Sequence, residues 1–329
     1  MKITGMDIGV LLPTGTAQWG PADDPRELVD FGRHAERAGF SSLFVNDSLI
    51  SPRIEALTML AALAPATEVT LGTAALMPFL RRPVQTAQSL ASIDLLSGGR
   101  LTVTVGAGFP GRFGRPLYTL SEVPWERRFA RLDETVALWR ALWNGADSFH
   151  GEILRFADIP PMTRPSRAGG PPIWLGGATP AALARTGRSY DGWLPYPPDP
   201  ADYASGLRDI GKAAADAGRR AEDITPALFV TVRIDDDVES GRRAVDGYAR
   251  ATYGMPLREL ERIQAIVTGS AEQVRERLGQ YVAAGVRHLV ARLGALDLRS
   301  QREQLERLAD LIPALRQTAA HASASQAVA

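Results

Sequence analysis

The chain of 329 residues contains no cysteine, which excludes disulfide bonds, a thiol nucleophile and thiolate-bound metals. Its four histidines, His34, His150, His288 and His321, do not have the spacing of metal ligands. Neither sign of charge is in excess, since Lys+Arg and Asp+Glu both total 37, and no basic stripe suggests nucleic-acid binding. The N-terminal apolar run is too short for a signal peptide or a membrane span. We therefore expect a cytoplasmic protein that contacts no membrane.

The sequence does contain a regular alternation of apolar strand-like runs and helix-like segments. Continuous apolar strands, each followed by a helix, imply a parallel sheet covered by helices. Eight such units predict a (β/α)8 TIM barrel, with an open doubly wound sheet as the alternative, although no GxGxxG follows the first strand. The predicted strands are Met6–Leu12, Ser42–Val45, Val69–Ala75, Leu101–Val105, Ile173–Leu175, Gly192–Leu194, Ala227–Ile234 and Arg287–Leu293. The predicted helices are Pro25–Ala38, Arg53–Ala64, Val84–Leu95, Arg127–Trp143, Ala181–Thr186, Asp202–Ala217, Ala271–Ala284 and Gln301–Gln317.

Three insertions interrupt the repeat, after strand four (108–124), after helix four (144–170) and after strand seven (235–263). Long connections in a compact barrel are usually lids or binding loops, so the first and third are expected to select the substrate. We predict one barrel domain over residues 1–318. The Ala/Ser-rich segment 319–329 is predicted to be a disordered tail.

Small residues form the turns after two of the strands. One turn is Gly106-Ala107-Gly108, and the other is Gly176-Gly177-Ala178-Thr179. Such turns expose backbone N–H groups at the carboxyl ends of strands, where α/β enzymes bind anionic ligands. The other strand ends offer few acid–base groups, no nucleophile–base pair and no metal cluster. This composition favours a phosphate-bearing ring cofactor that supplies its own reactivity, and it makes a barrel hydrolase the least favoured interpretation.

Five stretches resemble the bacterial-luciferase-like superfamily of flavin- and deazaflavin-dependent oxidoreductases. They are HAERAGFSSLFVNDS (34–48), LGTAALMPFLRRPVQTAQSLASIDLLSGGRLTVTVGAGFP (71–110), RLDETVALWRALW (131–143), PPIWLGGATPAALARTGRSYDGWLP (171–195) and AGVRHLVARL (284–293). The combination of IDLLSGGR (93–100) with PPIWLGG is specific. The resemblance implies a barrel with FMN or the deazaflavin F420 across its C-terminal mouth.

The resemblance also assigns residues to the cofactor. It implies a non-prolyl cis bond between Ala74 and Ala75, which bulges beneath the flavin ring, and a phosphate between the two small-residue turns. Some FMN-binding members have an arginine where Ala107 stands. Its absence suits a loosely held cofactor, or F420 with its extended tail. Thr179 is expected to donate its hydroxyl to the phosphate, to cap the following helix, or both.

Asp47 is the tentative catalytic residue. Family members often carry Asp-His at this point, but Ser48 follows Asp47 here, which counts against an F420-dependent alcohol or sugar dehydrogenase. Asp47 is expected either to bond the cofactor or substrate or to form a strand-end turn or helix cap. Trp193, with Tyr196 nearby, is expected to line the ring pocket or to pack at the barrel rim.

Other side chains have a structural and a functional alternative. Arg81 and Arg82 could anchor a substrate, with surface salt bridging favoured. Arg292 could reach an anionic group near the mouth or form a buried ion pair with a carboxylate. For His288, packing is favoured over catalysis. The helical tryptophans are expected to pack within the fold or to form a dimer face: Trp125, Trp139 and Trp143.

The favoured function is a monooxygenase that uses reduced FMN, supplied by a separate flavin reductase, and O2 on a small organic substrate. The alternative is an F420-dependent oxidoreductase that exchanges hydride with its substrate. A non-catalytic flavin-binding protein is the rival from another class. Family members are often homodimers.

Overall fold

Eight parallel strands close into a barrel in the computed structural model, which describes residues 5–20, 23–108 and 114–328. Around the cylinder each strand pairs with the next, in the order β1, β2, β3, β4, β7, β8, β9, β11 and back to β1. The predicted (β/α)8 TIM barrel is confirmed. The barrel strands are β1 (Asp7–Leu11), β2 (Ser42–Val45), β3 (Thr70–Leu76), β4 (Leu101–Val105), β7 (Ile173–Leu175), β8 (Gly192–Trp193), β9 (Thr225–Ile234) and β11 (His288–Leu293).

Helices surround the barrel, and side-chain caps fix where several of them begin. Ser270 forms a capping box with Gln273, and the carboxylates of Asp199, Asp237 and Asp297 accept from first-turn amides. The helices are α1 (Glu27–Arg37), α2 (Ala56–Leu63), α3 (Pro83–Leu96), α4 (Gly114–Leu120), α5 (Arg128–Trp143), α6 (Pro180–Ser189), α7 (Pro200–Asp216), α8 (Val238–Tyr253), α9 (Leu257–Leu260), α10 (Ala271–Ala283), α11 (Leu298–Ala309) and α12 (Ile312–Val328). Short 3₁₀ turns occupy Thr16–Gln18, Pro78–Leu80 and Ala221–Asp223.

The three predicted insertions are present and carry secondary structure of their own. The insertion after β4 contains α4, and its residues 109–113 lie outside the described residues. The insertion after α5 contains an antiparallel hairpin of β5 (Phe149–His150) and β6 (Arg155–Phe156). The insertion after β9 folds into α8 and α9 and leads to β10 (Ile266–Gly269), which pairs with the C-terminal part of β9.

Two apolar layers hold the barrel together. The larger core lies between the strands and the helices. A second cluster joins residues from strands all around the cylinder, so it fills the barrel interior. Its members are Leu11, Phe44, Trp174, Leu194, Ala227, Phe229 and Val290. At its N-terminal end the interior is closed by His288, whose Nε2 lies 2.8 Å from Ser42 Oγ.

The C-terminal part of the chain differs from the prediction. The single helix expected over Gln301–Gln317 is two helices, α11 and α12, which meet at residues 310–311. Pro313 lies in the first turn of α12, where its missing N–H leaves no helical bond unmade, whereas it would break the interior of a single helix. The segment predicted to be a disordered tail, 319–329, lies for the most part in α12, which continues to Val328, and Ala319 is buried. Alanine is the strongest helix former, which explains this outcome.

No helix among the described residues has the length and apolar character that crossing a membrane requires.

Candidate active site

The turns after β4 and β7 lie side by side at the C-terminal rim of the barrel, which we call the mouth. Their strands are paired neighbours, with Val105 opposite Leu175, and the Gly176 amide donates to the Val105 carbonyl at 3.1 Å. Ligands of parallel α/β proteins bind at this rim, because the strands end there together. The two small-residue turns are therefore placed where one anionic group can reach both.

Beside these turns, β3 contains the bulge that the resemblance implies. The peptide bond between Ala74 and Ala75 is cis, which confirms the prediction. The pairing of β3 with β4 changes register between Thr73 and Leu76, and the Gly106 amide donates to the Leu76 carbonyl at 2.9 Å. Both alanines are partly exposed, so the bulge contributes to the surface of the mouth.

Glycine at the mouth is not explained by packing, unlike glycine inside the barrel. A Cβ added to Gly106 would meet the Ala75 Cβ at 3.7 Å, and one added to Gly176 would approach its nearest neighbours at 3.8 Å. Both distances are ordinary contacts. By contrast, a Cβ on Gly72 would lie 2.3 Å from the Phe44 ring. The described residues thus require glycine at position 72, whereas at 106 and 176 the missing side chains leave room for a ligand.

Thr179 is the N-cap of α6. Its hydroxyl oxygen accepts a hydrogen bond from the Ala182 amide at 3.3 Å, which confirms the predicted cap. Ala178 and Thr179 are exposed, and Gly177 adopts φ +95°, a conformation that favours glycine. Because the cap uses the oxygen of Thr179, the hydroxyl hydrogen can still be donated to a ligand. That second role stays a prediction.

Trp193 packs beneath the turn after β7 and is hydrogen-bonded to it. Its ring is 1% exposed and stacks on Tyr203 of α7 at a centroid distance of 4.9 Å. The indole N–H donates to the Gly177 carbonyl at 2.8 Å. Of the two alternatives, the structure therefore gives Trp193 the packing role, and its ring does not line the mouth. Tyr196 is 38% exposed near the end of the same strand.

Asp47 is bound by a neighbouring arginine. Its two oxygens accept hydrogen bonds from Arg81 at 2.7 and 2.9 Å, and one also accepts from the Met77 amide at 2.9 Å. Arg81 also bonds Glu55. Burial opposes the charge on Arg81, but these carboxylates outweigh that effect and raise the pKa of the guanidinium. The favoured surface salt bridge of Arg81 is thus a partly buried one, and Asp47 joins the ends of β2 and β3 instead of capping a helix.

A small cavity of about 50 Å³ lies on the outer side of the turn after β4. Its lining includes Ala107 together with Arg81, Arg128 and Arg131. The Nε atom of Arg131 is buried and has no hydrogen-bond partner among the described residues. These side chains place positive charge next to Ala107. Sequence reasoning missed Arg128 and Arg131, because they come from the next helix.

The opposite side of the mouth is lined by arginine and tyrosine. Alternate residues of β11 point into the barrel, and Arg292 continues the inward series above Val290. Arg292 is 4% exposed, and its guanidinium carbon lies 4.9 Å from the Phe229 ring centre, 5.6 Å from that of Tyr248 and 5.0 Å from that of Tyr253. This guanidinium donates to Thr231 and Gln264 and forms no ion pair with a carboxylate of the described residues. The predicted alternative of a buried ion pair is therefore wrong.

Arg53 reaches this side of the mouth from the connection after β2. Gly15 and Arg53 form an isolated antiparallel bridge, which ties the connections after β1 and β2 together. Arg53 Nη2 donates to Ser51 Oγ at 2.7 Å, while Nη1 is buried without a hydrogen-bond partner in the described part of the chain. Burial lowers the pKa of Arg53, and repulsion from Arg292 lowers it further. Attraction to Asp47 and to the tyrosines of α8 raises the pKa and only partly offsets the effect of burial.

No group of three or more His, Asp or Glu side chains among the described residues is arranged to hold a metal ion. With the geometry in view, similarity to known proteins identifies the family. A model of the luciferase-like monooxygenases matches residues 6–288. The chain belongs to the luciferase-like monooxygenase family. This membership classes it with the flavin- and F420-dependent oxidoreductases.

Proteins similar in sequence to this chain include a ketoreductase and a dehydrogenase. The phthiodiolone/phenolphthiodiolone dimycocerosates ketoreductase of Mycobacterium tuberculosis is 34% identical over 228 residues. That match covers 64% of this chain but 56% of the ketoreductase, so it spans little more than half of that protein. The F420-dependent glucose-6-phosphate dehydrogenase of Intrasporangium calvum is 29% identical, with 89% of this chain and 95% of that protein covered.

Solved structures of other proteins share the fold at low sequence identity. An F420-dependent secondary alcohol dehydrogenase, in complex with an F420–acetone adduct, superposes with a TM-score of 0.79 at 20% identity, covering 95% of this chain and 99% of that one. The oxygenating constituent of 3,6-diketocamphane monooxygenase from Pseudomonas putida, in complex with FMN, gives a TM-score of 0.72 at 15% identity, covering 93% and 97%. At these identities the likeness establishes the fold alone.

Proposed function

We propose that this luciferase-like protein is an F420-dependent oxidoreductase that transfers hydride between the deazaflavin and a small organic substrate. The observation that carries the proposal is the pair of adjacent turns after β4 and β7, which offer main-chain amides and open space but no arginine at Ala107. Similarity along 89% of the chain to an F420-dependent dehydrogenase supports F420 over FMN. The monooxygenase that the sequence favoured first is the competing outcome of the test.

The residues present at the mouth fit a phosphate-bearing cofactor. The amides of Ala107, Gly108 and Gly177–Thr179 would hold the phosphate, because those of Gly106 and Gly176 already donate to strand carbonyls, and the small side chains of Ala74 and Ala75 would face the ring. Arg128 and Arg131 beside Ala107 supply positive charge for an extended anionic tail. When bound, F420 supplies a carbon that accepts or donates hydride.

Hydride transfer to a carbonyl carbon also requires a proton donor for the oxygen. Ser48 stands where the family often has histidine, and its hydroxyl accepts from the Ile50 amide at 3.0 Å. The phenols of Tyr248 and Tyr253 lie on the other side of the mouth, close to Arg292. Burial raises the pKa of Tyr248 to about 12, so this phenol keeps its proton at neutral pH. We assign the proton to these tyrosines instead of an imidazole.

The decisive experiment is titration of the purified protein with F420, FMN and reduced FMN, followed by absorbance and fluorescence. We expect tighter binding of F420 than of FMN, and reduction of bound F420 by a substrate without uptake of O2. Rapid O2 consumption with reduced FMN, together with weak F420 binding, would establish the monooxygenase instead. Binding of cofactor without turnover of any carbonyl or alcohol would favour a non-catalytic flavin-binding protein.

A separate flavin reductase and a second copy of the chain remain proposals as partners. A reductase is needed for the monooxygenase and not for F420-dependent hydride transfer. Trp139 and Trp143 are buried and donate to carbonyls of α3, so they do not form a dimer face. Trp125 is partly buried and has the guanidinium of Arg128 4.0 Å from its ring centre.

A further inference from the structure

The arginines at the mouth outnumber the carboxylates near them. Asp47 and Glu55 are both bonded to Arg81, so one guanidinium group already uses both negative charges. Arg53 and Arg292 add two more positive charges on the side facing α8. Three guanidinium groups thus face two carboxylates, which leaves one positive charge unmatched within the described residues. Burying an uncompensated charge costs free energy, so such a group usually binds an oppositely charged residue or ligand.

Neutral groups surround Arg292 and cannot supply the negative charge that would balance it. Its Nε and Nη2 groups donate to Thr231 and Gln264, and the guanidinium lies near the rings of Phe229, Tyr248 and Tyr253. At neutral pH the Tyr248 phenol is uncharged, since burial raises its pKa to about 12. These contacts therefore fix the guanidinium of Arg292 in place without neutralising its charge.

Arg53 offers the free donor. Its Nη1 atom is buried and makes no hydrogen bond to a described residue, although the same guanidinium is fixed through Nη2 and Nε to Ser51. A planar guanidinium held at one edge presents the other edge to a carboxylate. Arg53 and Arg292 lie on the same side of the mouth. Arg53 bridges Gly15, the turn after Gly15 carries Gln18, whose amide approaches the Tyr248 hydroxyl at 3.5 Å, and the Tyr248 ring centre lies 5.6 Å from the Arg292 guanidinium carbon.

From these contacts we propose that Arg53 and Arg292 bind a carboxylate group of the substrate, whose apolar part packs on Phe229 and Tyr253. One unmatched charge and few free N–H donors suit a monoanionic carboxylate better than a doubly charged phosphate. The inference rests on the proposed function, because it places the substrate at the same mouth as the cofactor. The substrate is accordingly an organic carboxylic acid with an apolar hydrocarbon group.

The test uses the full-length chain without cofactor and three probes of similar shape. Benzoate carries the carboxylate, benzamide is its neutral counterpart, and phenyl phosphate carries a doubly charged group. Binding is measured by calorimetry and by the shift in melting temperature. We expect benzoate to bind at least about tenfold more tightly than benzamide, the difference that a charge-assisted pair provides.

Variants identify the site. Arg292→Gln and Arg53→Gln should each raise the Kd of benzoate by about tenfold or more, whereas Arg299→Gln, an exposed helix residue paired with Glu303, should leave it unchanged. Circular dichroism verifies folding, and Arg53→Gln tests the site if the more buried Arg292 variant does not fold. Equal binding of benzoate and benzamide, no binding of benzoate, or unchanged Kd in the folded variants overturns the proposal. Tighter binding of phenyl phosphate than of benzoate overturns the carboxylate assignment.

F420 titration of the same variants separates this inference from the proposed function. Retained F420 affinity with lost benzoate affinity supports a substrate site distinct from the cofactor site. If wild-type protein fails to bind F420 but binds benzoate through the two arginines, the cofactor assignment fails while the carboxylate site stands.

Discussion

Arg81 holds both carboxylate oxygens of Asp47, at 2.7 and 2.9 Å, and so joins the end of β2 to the segment that follows the β3 bulge. Because the Met77 amide also donates to Asp47, the position of the backbone after the cis bond depends on this one carboxylate. Asp47 therefore acts as a positioning residue at the mouth. Its carboxylate is not free to serve as a general base, since three donors already occupy it.

Replacing Asp47 by asparagine should destabilise the protein by about 2–3 kcal/mol, because hydrogen bonds to a buried charged group are the strong ones. The side chain is 7% exposed, so water cannot replace the lost contacts. Urea denaturation followed by circular dichroism measures the change. Asp24→Asn, which removes an exposed pair with Arg26, is the matched control and should lower the free energy of unfolding much less. Equal losses in the two variants would contradict the role given to Asp47.

Gly72 in β3 and Gly106 in the turn after the neighbouring β4 should respond oppositely to an added side chain. Gly106→Val should leave the free energy of unfolding nearly unchanged and reduce F420 affinity at least about tenfold, since its side chain would enter open space at the mouth. Gly72→Ala should cost about 1–3 kcal/mol, because its Cβ would overlap the Phe44 ring inside the barrel. Urea denaturation and F420 titration of both variants provide the measurements. Normal F420 binding by a folded Gly106→Val protein would remove the turn after β4 from the cofactor site.

The sequence predicts the fold well where apolar runs are bounded by glycine or by short turns. The bounds of β2, β4 and β7 agree with the predicted strands. The small-residue turns could be found because their function depends on main-chain atoms and on missing side chains. The break between α11 and α12 was missed, because leucines at helical spacing continue across it.

The arginine–tyrosine side of the mouth could not be assembled from the sequence. Gln18 and Tyr248 are 230 positions apart, yet the Gln18 amide approaches the Tyr248 hydroxyl at 3.5 Å. Tyr248 comes from the insertion after β9, whose path over the barrel depends on packing and on β10. Local periodicity contains no information on such a path. Arg292 was expected near the mouth, but the aromatic and amide groups around it could not be predicted.

His288 should make stability depend on pH in a defined window. Burial lowers the pKa of this imidazole from 6.5 to about 4, and nearby Asp7 opposes the effect. A group with a lowered pKa in the folded state stabilises the protein above its unfolded pKa and loses that contribution as pH falls through the folded pKa. Unfolding free energy should thus decrease between about pH 6.5 and pH 4, by about 3 kcal/mol at most.

His288→Gln isolates that contribution, because an amide can still bond Ser42 but does not titrate. The difference in unfolding free energy between wild type and His288→Gln should favour wild type near neutral pH and shrink towards pH 4. The partly exposed His34, replaced by glutamine, is the control. A pH-independent difference between wild type and His288→Gln would show that the imidazole is not held neutral by burial.

Trp193 provides a final test of the turn after β7. Trp193→Phe keeps an aromatic ring against Tyr203 but removes the N–H that donates to the Gly177 carbonyl. One neutral hydrogen bond contributes about 1 kcal/mol, so we expect F420 affinity to fall about fivefold as the turn loses its support. The smaller ring also costs packing energy, which the free energy of unfolding reports separately. Trp143→Phe, which removes a comparable N–H bond to the Ala87 carbonyl one turn into α3, should lower stability without changing F420 affinity. If both variants bind F420 as wild type does, the indole of Trp193 serves packing alone and the turn holds its shape through the main chain.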